Sequence, residues 1–204
     1  MNLLLLIGLP LLTAVAVLLS RNKQQVKWIA LVGSVAQLAL AFVLFFIYKH
    51  ERETGNATQM LFEQNYPLFK SLNINFHLGV DGISIAMILL TAFVVVAGVL
   101  VSWNIEKMTK EFYFLLLLLG MGAYGFFISL DLFILFFFLE ISVIPKYLLI
   151  GIWGSGKKEY SANKLALMLM GGSALILVGI LGLYFAAGRS FDIMELSKAT
   201  VSLS

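Results

Sequence analysis

The chain contains no cysteine. Disulfides, thiolate metal sites and a cysteine nucleophile are therefore excluded, and thiol usage says nothing of the redox compartment. Histidine is scarce too: His50 and His77 are the two present, and neither stands in a metal-ligand spacing such as HExxH. Charge is equally thin. Asp, Glu, Lys and Arg make up 12% of the 204 residues, about half the share of a soluble domain. Hydrophobic residues make up 61%, and the mean hydropathy is +0.98. This is the composition of an integral membrane protein. The net charge of +3 lies in short clusters between apolar runs, so the pI near 9.1 reads as membrane topology and not as a nucleic-acid surface.

A helix rises 1.5 Å per residue, so crossing a hydrocarbon core of about 30 Å takes roughly 20 mostly apolar residues. Six stretches qualify: Leu3 to Leu19, Val26 to Tyr48, Ile83 to Trp103, Phe112 to Leu130, Leu132 to Trp153 and Asn163 to Ala187. The expected fold is all-α, a polytopic membrane helix bundle of six transmembrane helices. "TAVA" in the first stretch resembles a signal-peptide cleavage site, but no positive charge precedes it and "VLLSRNK" follows, so it reads as a retained span.

Arg21, Lys23 and Lys27, then Lys107 and Lys110, then Lys157 and Lys158 occupy the first, third and fifth connections, with Lys164 just inside the sixth span. By the positive-inside rule these face the cytoplasm. The other connections and the tail mix Lys49, Arg52, Lys70, Arg189 and Lys198 with Glu51, Glu53, Glu63, Asp131, Asp192 and Glu195. They are expected outside, together with both termini. The long connection at 49–81, with Asn56, Asn65, Pro67, Asn73 and Asn75, is too polar for lipid and should form an ordered outer loop or a short surface helix. It closes in "NINFHLGVDGIS", where alternating Ile74, Phe76 and Leu78 suggest a short strand or extended segment, Gly79 and Gly82 punctuate the turn, and Asp81 and Ser84 can cap the next helix.

Within "DLFILFFFLEISVIPKYLLIGIWG" the chain places one carboxylate, Glu140, near the middle of a span. Charged side chains at that depth cost roughly 2.5 to 3.5 kcal/mol on insertion scales. Lys146 lies about 120° round the helix from it, so the two do not share a face. Lys146 reads as a snorkelling lysine or one that serves another helix. Pro145 removes the amide that would bond the Ile141 carbonyl and should kink the helix. Ser142 adds a hydroxyl, and Tyr147 returns to the face of Glu140. Together they suggest a small polar site that water or protons can enter. The alternative is a structural carboxyl, permanently protonated, that hydrogen-bonds between helices. "GMGAYG" at 120–125 and "GGSALILVGILG" at 171–182 read as close-approach surfaces for helix packing. "GSGKK" lacks the spacing of a phosphate loop and reads as a turn.

A carboxyl in lipid binds its proton more tightly when an ammonium withdraws and less tightly when one approaches. Moving one charge through 100 mV involves about 2.3 kcal/mol, comparable to a shift of under about two pKa units. A modest movement of one lysine would therefore suffice to load and unload such a group.

"HLGVDGIS" and "FLEISVIPKYLLIGIWG" together resemble the antiporter-like, proton-translocating subunits of respiratory complex I, the group that includes bacterial chain M and mitochondrial subunit 4. The most specific element is the Glu, the Pro five residues later and the Tyr-Leu-Leu-Ile-Gly-x-Trp-Gly that follows. The resemblance implies that Glu140 lies in a proton half-channel, where it works with a lysine on a later, broken helix. Lys164 in "SANKLALMLMGGSA" matches a family lysine of the proton path, although Leu165 to Met168 replace the aromatic-rich sequence often found there. Lys146 departs from the neutral residue common at its position.

The resemblance also implies a domain organisation: three peripheral helices in 1–110, then the opening helices of the first repeat in 111–204. Family members have about fourteen spans in two inverted repeats of five, so the chain is expected to be incomplete. It implies no cofactor in this chain, with NADH, FMN, iron-sulfur clusters and quinone in the parent complex. The implied partners are other membrane-arm subunits and the lipid bilayer, without nucleic acid, in a bacterial inner membrane. A sodium/proton antiporter subunit, a membrane-bound hydrogenase subunit and a non-transporting structural protein remain as alternatives.

Overall fold

In the computed structural model of the chain, residues 2–55, 58, 60–69, 73–186 and 188–198 are described. Asn56, Lys70 and Ala187, which figured in the expected outer loop and sixth span, lie outside them. The elements are α1 (Leu4–Leu19), α2 (Lys23–Glu53), β1 (Leu61–Phe69), β2 (Ile74–Val80), α3 (Gly82–Val101), α4 (Thr109–Ile128), α5 (Leu132–Trp153), α6 (Lys158–Ala186) and the single turn α7 (Ile193–Leu196). A 3-10 turn, Ser102–Asn104, extends α3.

All six expected helices form, because each apolar run ends at a polar connection that can satisfy its terminal backbone groups. Five of them, from α2 to α6, are long and apolar enough to cross a membrane. The chain is a multipass membrane protein. Helix α1 has 16 residues, about 24 Å of helix, and so falls short of the expected sixth full span. Its side chains pack between α2, α3 and α4. Leu3 and Leu6 join a buried cluster with Ala41, Leu44, Ile88 and Tyr124, and Ala14 and Val17 join a second with Ala30, Val99 and Tyr113.

The three lysine-rich connections gather at one end of the bundle. Lys23 Nζ donates to the Glu106 carbonyl at 3.1 Å, and Trp153 Nε1 donates to the Lys107 carbonyl at 2.8 Å. Phe112 and Trp153 meet edge to face there, with ring centroids 5.3 Å apart. The hairpin, the α4–α5 connection and the residues after α6 gather at the other end.

The departure from an all-α chain lies in the long connection. It holds an antiparallel hairpin of β1 and β2 instead of a surface helix, with Asn65 opposite His77 and Tyr66 opposite Phe76. Its exposed strand β1 tolerates Pro67 because an edge strand needs no further ladder donor there. Strand β2 is the buried one, and the Leu130 N–H donates to the His77 carbonyl at 2.8 Å. Gly79, expected to punctuate a turn, lies inside β2. A Cβ there would come within 2.6 Å of the Leu130 side chain, which would have to turn aside to admit it. Asp81 caps α3, accepting the Ser84 N–H at 2.7 Å.

Small residues govern the contact between α4 and α5. A Cβ on Gly122 would meet Ser142 Oγ at 2.2 Å, and one on Gly125 would meet the Phe138 ring at 2.3 Å. The glycines of α6 behave differently. Around Gly171, Gly172, Gly179 and Gly182 there is open space, and only 11% of the apolar window of α6 is buried, against 50% for α4. The close approach expected of both glycine motifs is made by that of α4.

Candidate proton site on α5

Helix α5 begins at Asp131, whose side chain accepts the Phe133 N–H at 2.9 Å and the Ile134 N–H at 3.1 Å. This cap fixes the helix start and thereby sets which face each later residue occupies. Glu140 shares its stripe with Phe137, Ile144 and Tyr147, all of which are exposed in this chain. One Glu140 carboxylate oxygen is nevertheless fully occluded and has no hydrogen-bond partner among the described residues. Hydrocarbon helices do not leave such an acceptor idle without cost, about 1 to 3 kcal/mol for a buried orphan.

Tyr147, two turns further on, donates its hydroxyl to Asn163 Oδ1 on α6 at 3.1 Å. The two side chains line an apolar groove of about 620 Å³ between α5 and α6, which Val143, Ile144, Leu167 and Met170 also border. Asn163 was missed by sequence reasoning. It stands beside Lys164, and the signal that could have found it is an amide at the point where the polar first turns of α6 give way to its apolar run.

The remaining expected site residues are distributed over different faces. Ser142 is buried against Gly122 of α4 and donates to its own helix, to the Phe138 carbonyl at 3.0 Å. It packs away from the Glu140 stripe. Pro145 is also buried and lies within the continuous helix Leu132–Trp153. Lys146 is half-buried on the α4 side, where it borders a groove of about 200 Å³ with Ser142, Ala123 and Phe126. Lys164 is exposed on α6, its Nζ 6.0 Å from the Tyr160 ring centroid. Among the described residues neither lysine forms an ion pair with Glu140. The structure thus joins Tyr147 to α6 and leaves Glu140 without a cationic partner. No group of three or more His, Cys, Asp or Glu residues that could hold a metal occurs among the described residues.

Residues 129–204 match the family described as NADH:quinone oxidoreductase/Mrp antiporter, transmembrane region. Over 203 residues, 98% of this chain and 40% of the relative, it is 32% identical to NAD(P)H-quinone oxidoreductase chain 4, chloroplastic, of Adiantum capillus-veneris. Over 201 residues, 97% of this chain and 37% of the relative, it is 36% identical to NAD(P)H-quinone oxidoreductase chain 4 1 of Synechococcus elongatus. The fold aligns with a chain of respiratory complex I from Thermus thermophilus with bound NADH, at a TM-score of 0.83 and 22% identity over 98% of this chain and 40% of that one. The chain therefore spans about two fifths of the length of the relatives it matches. In sequence and fold alike, it belongs with the antiporter-like membrane subunits of complex I.

Proposed function

We propose that the chain is part of a proton-translocating membrane-arm subunit of a quinone-reducing NAD(P)H dehydrogenase, and that Glu140 carries a proton in it. One observation bears most of this reading: a carboxylate embedded in a span, one oxygen occluded and unbonded, on the helix face that also presents Tyr147 to the open α5–α6 groove. A structural carboxyl would be expected to use that oxygen to bind a neighbouring helix. A proton carrier needs it free.

In this reading the exposed faces of α5 and α6 meet further helices, and a mobile cation among them raises and lowers the proton affinity of Glu140. Lys164, at the lysine-rich end of α6, feeds protons toward the groove from the cytoplasmic side. Tyr147 and Asn163 steady the two helices beside the path, while Pro145 and Ser142 shape α5 against α4. The subunit holds no redox cofactor. NADH, flavin, iron-sulfur clusters and quinone belong to partner subunits, which it meets in a bacterial inner membrane with the hairpin end outside. The family description also covers Mrp antiporters, and a sodium/proton antiporter subunit is the second reading. Neighbouring genes encoding quinone-module subunits or antiporter subunits discriminate between the two.

The test is Glu140→Gln in the full-length protein within its complex. Proton pumping driven by NAD(P)H oxidation in sealed vesicles should fall by tenfold or more, which corresponds to at least about 1.4 kcal/mol. Unchanged pumping together with unchanged coupled turnover rejects the assignment.

A further inference from the structure

The hairpin end of the bundle holds a buried polar cluster that transport through Glu140 does not use. His77 on β2 places Nδ1 2.6 Å from Asp192 Oδ2, and both side chains are buried. Glu63 on β1 brings a carboxylate oxygen to 3.9 Å from His77 Nε2 on the solvent side. Asp131 is wholly enclosed. Besides capping α5 it accepts the Asn75 N–H at 3.1 Å, and it pairs through the backbone with Asp192 in an isolated antiparallel bridge. Two further bonds complete that seam, Leu132 N–H to the Phe191 carbonyl and Ile193 N–H to the Leu130 carbonyl, each 2.9 Å.

Of the other ionisable groups at this end, Glu195 accepts the Ser190 hydroxyl and Asp81 caps α3. Among the described residues no lysine or arginine forms an ion pair with Glu63, Asp131 or Asp192. One imidazole therefore stands between a buried carboxyl and a half-exposed one, and a second buried carboxyl, Asp131, joins the first through the backbone bridge. With no lysine or arginine paired to them among the described residues, the positive charge such a cluster can take up is a proton.

We infer that the His77–Asp131–Asp192 cluster is a proton-binding clasp, which holds residues 190–196 against the hairpin more tightly when the compartment on that side is acidic. Two protonations act in the same direction. A proton on His77 turns its 2.6 Å contact into a charge-assisted pair, with Glu63 as a second anion close by. A proton on Asp131 removes a buried negative charge beside Asp192. Burial pushes the Asp131 carboxyl above its ordinary value, the N–H groups of Asn75, Ile134 and Phe133 oppose the rise, and Asp192 adds to it. The folded chain thus binds this proton more tightly than the unfolded chain does. Its stabilising contribution is complete below the ordinary value of 3.8 and is lost as pH rises through the folded value. The clasp couples three segments distant in sequence, β2, the α4–α5 connection and the residues after α6, so proton binding sets how firmly the far ends of α4, α5 and α6 are tied together.

Hydrogen exchange read by mass spectrometry tests this on the full-length protein in its complex, at about pH 5.5 and about pH 8. After correction for intrinsic exchange, amides in 74–80 and 191–196 should exchange about tenfold more slowly at the acid pH, while those at the lysine-rich end do not change. His77→Gln, which keeps a donor but cannot titrate, should shrink the difference to about twofold, and Asp131→Asn should shrink it in part. Equal corrected exchange at the two pH values overturns the clasp, as does an equal shift at both ends of the bundle. The difference surviving undiminished in both variants would overturn it too. The wild-type comparison decides even where a variant fails to fold.

Discussion

Asp131, at the start of α5, places both oxygens on backbone N–H groups, whereas Glu140, roughly 13 Å further along the same helix, leaves one oxygen occluded and unbonded. The first carboxylate ties the chain together. It caps its own helix and anchors β2, so the hairpin, α5 and the segment after α6 share one polar seam. The second, half-buried, ties nothing among the described residues. Helices in hydrocarbon can be joined by apolar packing and small residues, as Gly122 and Gly125 show for α4 and α5. A carboxylate left out of that packing is one whose cost is not recovered in stability.

The contrast is sharpest at Asp131, where the largest effect on stability is expected. Asp131→Ala removes a helix cap, worth about 1 kcal/mol, and orphans the Asn75 N–H, worth about 1 to 3 kcal/mol more. Thermal unfolding in detergent should therefore reveal a loss of about 2 to 4 kcal/mol, with the hairpin amides the first to lose protection. A variant as stable as the parent would mean that the seam is ornamental. Next comes the apolar packing between α4 and α5. Gly125→Ala drives a methyl into the buried Phe138 ring and should cost about 1 to 3 kcal/mol by the same measurement, because the ring or the helix must shift to admit it.

The two ends of this comparison were unequally legible in the sequence. The helices were readable because each apolar run is bounded by charge, and Glu140 stood out because it is the one acidic residue between Asp131 and Glu159. The α6 glycines looked equivalent to those of α4, yet periodicity reports a small-residue face and cannot say whether a neighbour lies against it. Strand β1 was hidden because "LFEQNYPLF" alternates weakly and carries Pro67. The Asp131 seam was missed for a different reason. His77 was read as an isolated histidine, and Asp131 and Asp192 as topology charges, whereas 115 residues separate His77 from Asp192 and 56 separate Asn75 from Asp131. A local signal did exist. Asp131 and Asp192 each precede an apolar run as Asp81 does, and a capping aspartate is a fixed point on which other segments can converge.

The smallest expected effect on stability belongs to Glu140→Gln, the variant expected to have the largest effect on transport. Gln has almost the same volume as Glu, so the packing of α5 is preserved. It removes no observed hydrogen bond to the occluded oxygen, and a neutral amide costs less to hold in hydrocarbon than a charged carboxylate does. The unfolding midpoint should thus stay within about 0.5 kcal/mol of the parent or rise slightly. A loss of 2 kcal/mol or more would place Glu140 with Asp131 as a structural carboxyl, bonded to something in the assembled protein, and would remove the distinction on which the transport assignment rests. Stability retained while pumping is lost would separate the two carboxylates by role: Asp131 as a fixed tie, Glu140 as a group kept unpaired so that its proton can move.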